Sequence, residues 1–111
     1  MGLYRIYTNS EDKTQIDELD LASNPELTTK TSTQHIFFRE WATGHFIDWH
    51  PAPRRQYIIS LSGTVDVGLE DGTIKHFVPG DARLVEDTTG KGHTTRVTGD
   101  EPAITAVIRL R

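Results

Sequence analysis

The sequence predicts an all-β fold, a barrel or two-sheet sandwich built from many short strands. Three observations predict it. Short segments rich in β-branched and aromatic residues follow one another at near-regular spacing. Turn chemistry sits between them, with Asp71-Gly72 the clearest hairpin signal because glycine supplies the positive φ of a tight turn. No helical period of useful length runs through the second half of the chain.

Taken in order, Leu3 to Thr8 alternates and reads as a strand. Asn9 to Asn24 is polar and acidic, with Ile16, Leu19 and Leu21 as its apolar anchors. Ser10 ahead of Glu11 and Asp12 has the chemistry of a helix start, so this stretch reads as a loop with one helical turn around Thr14–Leu19, ended by Pro25. After Thr31 the pattern changes. Strands are expected over Gln34–Trp41, His45–His50, Gln56–Leu61, Thr64–Leu69, Thr73–Val78, Ala82–Glu86, Thr94–Thr98 and Ala103–Leu110. Pro79 stands at a strand end, where its missing N–H costs a ladder nothing. The expected organisation is a strand-and-loop extension over residues 1–30 followed by a barrel over residues 31–111.

Composition narrows the function classes. A chain of 111 residues fits one domain with a modest core, a size that often gains stability by self-association. A net charge of -4 argues against a nucleic-acid partner, which calls for a basic stripe. With no cysteine, disulfides and thiolate zinc sites are excluded. Neither a signal peptide over Met1 to Ser10 nor a membrane helix is legible, so a cytoplasmic protein is the expectation.

The chemistry concentrates between Gly44 and His93. Gly44 is followed by five residues and His50; three residues separate Ala52 from Gln56, and six separate Gln56 from Gly63. A second run begins at Gly80 and continues through Thr88-Thr89-Gly90 to His93. These residues resemble the two motifs of the cupin family. Ala52 stands where the first motif has its second histidine, Gln56 where it has glutamate, and Val97 where the second motif has asparagine. The likeness covers roughly residues 34–110 and implies a cupin-type double-stranded β-helix (jelly-roll) barrel, preceded by an irregular N-terminal segment. It also implies a pocket in which His50, Gln56 and His93 are the candidate metal ligands. The metal would be one divalent ion (Fe, Mn, Ni or Zn), with a metal-free pocket as the alternative.

Strand parity adds a check. If His50 points inward, Asp48 and Phe46 should too, and Asp48, Glu86 or Asp87 would restore the charge that glutamine lacks. His50 and His93 are the candidate catalytic residues, acting on a metal or moving protons without one. Arg54, Trp49 and Asp87 are the candidate substrate-binding residues: a guanidinium fork for a carboxylate, an indole face, and a carboxylate able to tune His93. The bland readings are structural histidines, a polar interior glutamine, solvated turn arginines and a core tryptophan. His35, His45 and His76 read as surface or packing residues. The expected function is a small-molecule enzyme with a His-lined pocket. The alternatives are a non-catalytic ligand-binding module and a dimeric structural protein. The expected partners are a small organic molecule and a second copy of the chain, since open edge strands in a small barrel are commonly covered.

Overall fold

Ten strands form two facing sheets in the computed structural model, which describes residues 2–111. They are β1 (Leu3–Thr8), β2 (Thr14–Leu19), β3 (Thr33–Trp41), β4 (Phe46–His50), β5 (Gln56–Ser62), β6 (Thr64–Gly68), β7 (Ile74–Phe77), β8 (Ala82–Glu86), β9 (His93–Thr98) and β10 (Ala103–Leu110). One sheet has the order β2-β1-β8-β5-β10-β3 and the other β4-β9-β6-β7. The pairing β1–β8 is parallel and the others are antiparallel. All eight strands expected after residue 31 form, with ends within one residue of those expected. Among the described residues no helix is long and apolar enough to cross a membrane.

The N-terminal expectation needs correction. Thr14–Leu19 is a strand, not a helical turn in a loop, and it pairs antiparallel with β1, Ile16 opposite Ile6. The cause is the connection. Asn9 Oδ1 accepts the N–H groups of Glu11 and Lys13, Asn9 N–H donates to the Lys13 carbonyl, and Asp12 takes φ 62°. Ser10-Glu11-Asp12 is therefore hairpin chemistry, the Asx turn that asparagine favours. Through the parallel ladder with β8, residues 3–19 join the barrel's own sheet. One 3₁₀ turn, Pro25–Thr28, leads from β2 towards β3.

Between the sheets lies an apolar core in which Ile6, Val65, Val67, Phe77, Val97 and Val107 are all but fully buried. Each such side chain contributes about 1.5–3 kcal/mol by leaving water. The inward rows are not apolar throughout. Gln56, Ile58 and Ser60 point in from β5, and His93, Thr95 and Val97 from β9. The polar ends of those rows leave a cavity instead of a packed layer.

Glu86 ties the N-terminal strand to the barrel. Its carboxylate accepts from Arg5 Nε and, at 2.7 Å, from Arg55 Nε. Burial alone would raise the Glu86 carboxyl, but the two guanidinium bonds outweigh it and hold its pKa below the ordinary 4.5. A depressed carboxylate pKa contributes stability that is present above the ordinary value and lost as pH falls through the lower, folded-state value. Urea midpoints measured on either side of 4.5 should therefore fall less steeply in Glu86→Gln than in the parent; identical pH profiles would contradict this.

Candidate functional site

A cavity of about 210 Å3 lies between the two sheets. That is smaller than the ~300–1,000 Å3 typical of drug-sized ligands, and it suits a small molecule. Ile47 and His50 reach it from β4, Val67 from β6, and His93 and Thr95 from β9. The six-stranded sheet supplies the facing wall, including Arg39, Gln56, Arg83 and Arg109.

Local backbone geometry brings the two histidines together. His50 and His93 are cross-strand partners on β4 and β9. The register shifts between Ile47 and His50, so two residues of β4 (Asp48 and Trp49) face the single Thr94 of β9. This is a β-bulge, and it re-aims the strand so that Ile47 and His50 both face the cavity. Gly92, at φ 79°, lets the next turn pass directly over the His50 carbonyl. The Ala52 N–H donates to the Asp87 carbonyl at 2.9 Å and ties the two loops together. The imidazole centroids end up 4.8 Å apart at an interplanar angle of 55°.

Each ring has one nitrogen assigned. His50 Nδ1 lies 2.8 Å from the Asp48 carbonyl, which can only accept, so Nδ1 carries the proton. His93 Nδ1 donates to Asp87 Oδ2 at 2.5 Å, and the same oxygen accepts from Thr14 Oγ1 at 2.9 Å. Asp87 is fully buried. In both rings Nε2 is the lone-pair nitrogen left for a cavity ligand.

The facing wall is cationic. Arg83, 3% exposed, bonds Ser60 Oγ at 3.3 Å and lies over the Phe77 ring. Burial first, then the charge of Arg39, pushes its pKa down to about 10, with Asp81 opposing. Burial and then the charge of Arg109 lower Arg39. Arg39 and Arg83 nevertheless stay charged near neutral pH. Among the described residues, the buried side-chain polar atoms without a hydrogen-bond partner are Arg39 Nε, Arg109 Nε, Gln56 Oε1 and Asp87 Oδ1. Three belong to residues of the cavity wall and the fourth lies behind His93, and all four atoms are sealed from solvent.

No family model matches the chain, and no curated protein matches it. Solved structures do. The chain is similar to a Cupin 2 conserved barrel domain protein from Salinispora arenicola, with a TM-score of 0.52 at 20% identity over 67% of this chain; it spans 60% of that protein's length. A cupin domain from Schizosaccharomyces pombe gives 0.52 at 11% identity, covering 100% of this chain and 83% of the other. The chain has the cupin fold. A cupin superfamily protein from Desulfitobacterium hafniense agrees, with a TM-score of 0.50 at 16% identity over 85% and 90% of the two chains.

The cupin frame placed His50, Gln56 and His93 in one pocket, and all three line it. The parity expectation for β4 fails because of the bulge. Phe46 is 42% exposed beneath the Arg96 guanidinium, and Asp48 is exposed with its carboxylate on the Trp49 N–H. The candidate substrate-binding residues lie off the cavity wall. Arg54 is engaged by Gln34 Oε1 at 2.8 Å, because the turn carries it to the barrel's outside. Trp49, turned out by the bulge, lies under the Lys91 ammonium. Asp87 is sealed behind His93, where it touches the ring and no cavity space. His35 and His76 are exposed, and His45 stacks on Trp41 at 5.1 Å.

The donor set does not fit a tightly held divalent ion. It offers two imidazoles and a neutral amide, with Ala52 at the remaining ligand position. Asp48 points away, Glu86 is held by Arg5 and Arg55, and Asp87 is turned to His93 and Thr14. Among the described residues no group of three or more His, Cys, Asp or Glu is placed to hold a metal. Three guanidinium groups on the facing wall repel a dication further. Those arginines escaped the sequence reading, although their parity was visible. Arg39 alternates with Phe37 and Trp41, Arg83 with Val85, and Arg109 with Val107, all inward positions.

Proposed function

We propose that this cupin-fold protein is a small-molecule enzyme that moves a proton on an organic ligand held in the cavity, with His93 as the principal base and acid and His50 as its neighbour. The observation that carries the reading is the convergence of the two rings at 4.8 Å with the buried Asp87 carboxylate behind one of them. The Asp87–His93 bond fixes the tautomer that presents a lone pair to the ligand, and the carboxylate stabilises the imidazolium formed when His93 takes a proton. His50, close enough to share the ligand, returns or relays it. Such a pair serves an isomerase, lyase or cyclase reaction. Incubation of the protein with a small-metabolite mixture in D2O, screened by mass spectrometry, should show deuterium entering at least one compound. A screen with no incorporation, in which a compound is nevertheless retained, would leave a binding module in place of an enzyme.

The same reading includes a homodimer. Among the described residues β3 is an edge strand, paired with β10 alone. Its outward row exposes Ile36 at 63% and Phe38 at 69%. An edge strand can pair antiparallel with its own copy across a two-fold axis, which covers the open edge and sets the two outward rows side by side. Sedimentation should give about twice the 12.5 kDa chain mass, and Phe38→Lys should give monomer; a monomeric parent would contradict the proposal.

A further inference from the structure

The imidazoles explain one wall of the cavity and leave the other unexplained. Arg39, Arg83 and Arg109 project from three different strands onto one surface, and no carboxylate is among the residues that line the space in front of them. Asp81 offsets part of the Arg83 charge, with its oxygens accepting the N–H groups of Gly2 and Val78. Arg39 and Arg109 each keep a buried Nε without an acceptor. Arg39 faces the like charges of both Arg83 and Arg109, and an anion in the cavity would relieve that repulsion.

We propose that this guanidinium wall binds the carboxylate of a small hydroxycarboxylic acid whose hydroxyl end reaches the imidazole pair. A guanidinium is a planar fork that matches the two oxygens of a carboxylate, and Arg39, Arg83 and Arg109 all line the cavity. The opposite wall offers acceptors, because the two imidazole Nε2 atoms lack a donor while each Nδ1 is engaged. A hydroxyl group supplies one. The rest of the lining, including Trp41, Ile47, Ile58 and Val67, is apolar and suits a carbon body better than an inorganic oxyanion. The cavity volume limits that body to a few carbons. The hydroxyl end of this assignment rests on the proton-transfer reading; the carboxylate end stands without it.

Calorimetric titration of the full chain with glycolate, lactate and glycerate tests the assignment, with lactamide and inorganic phosphate as comparators. At least one hydroxycarboxylate should bind, and lactamide should not. Arg39→Gln and Arg109→Gln should each weaken binding by about tenfold or more, the loss of one charge-assisted bond. Arg39→Lys and Arg109→Lys, which keep the charge and lose the fork, should keep the parent's circular dichroism and still bind more weakly. His93→Gln, which leaves all three arginines in place, should lose proton exchange and still bind lactate in preference to lactamide, so failure of the chemistry and failure of the anion site are separable. The proposal is overturned if lactamide binds as well as lactate, if phosphate binds more tightly than every carboxylate, if the arginine variants bind like the parent, or if no carboxylate binds at tens of millimolar.

Discussion

Replacing His93 by glutamine is expected to cut ligand proton exchange by ~10²–10⁴-fold, the range general acid–base catalysis supplies. Asp87→Asn should approach the same loss although Asp87 touches no ligand. Asp87 Oδ2 holds the Nδ1 proton of His93 and is itself held by Thr14. An amide in its place removes the charge that stabilises the imidazolium, and it can donate to Nδ1 and so flip the tautomer. Ligand affinity should change little in Asp87→Asn, because Asp87 is not among the residues that line the cavity. A normal exchange rate in Asp87→Asn, measured with an unaltered circular dichroism spectrum, would show that the carboxylate is only structural.

The largest effect on folding is expected from Gly92→Ala. A Cβ there would collide with the carbonyl of His50 and the nitrogen of Pro51, at a φ of 79° that disfavours any L side chain. The unfolding free energy should drop by at least about 2 kcal/mol, combining backbone strain with a forced shift of β4. That shift moves His50 away from His93, so exchange should fall as well. Gly72→Ala is the internal control. Its φ is 90°, but no atom lies within 4 Å of the added carbon, so only strain of about 1 kcal/mol remains. Denaturant melts giving equal losses for the two variants would contradict the close-approach argument.

The barrel was legible because its information is local. Alternation and turn residues mark each strand from β3 to β10 without reference to any other strand. β2 was hidden because its few apolar residues gain meaning only opposite β1, as Ile16 does opposite Ile6. The convergence of His50, Gln56 and His93 was legible from the spacing of the cupin motifs. The outward turn of Asp48 and Trp49 was not, since a bulge is a property of two paired strands and breaks the two-residue parity that a single strand displays. The arginine wall is the instructive omission. Arg39, Arg83 and Arg109 each sit at an inward position by simple alternation. Each is masked in the sequence because a charged residue in a strand is ordinarily assigned to the solvent face. Three such exceptions converging on one cavity are a stronger signal of a ligand than any of them alone.

Two imidazoles, each protonated on Nδ1, present bare Nε2 atoms to one cavity between the sheets. Long-range ¹⁵N–¹H correlation spectra of the uniformly labelled protein, recorded at a pH where both rings are neutral, report the tautomers directly. Nδ1–H forms are expected for His50 and His93, with nuclear Overhauser contacts between their ring protons. An Nε2–H tautomer in either ring, or an absence of contacts between them, would contradict this arrangement.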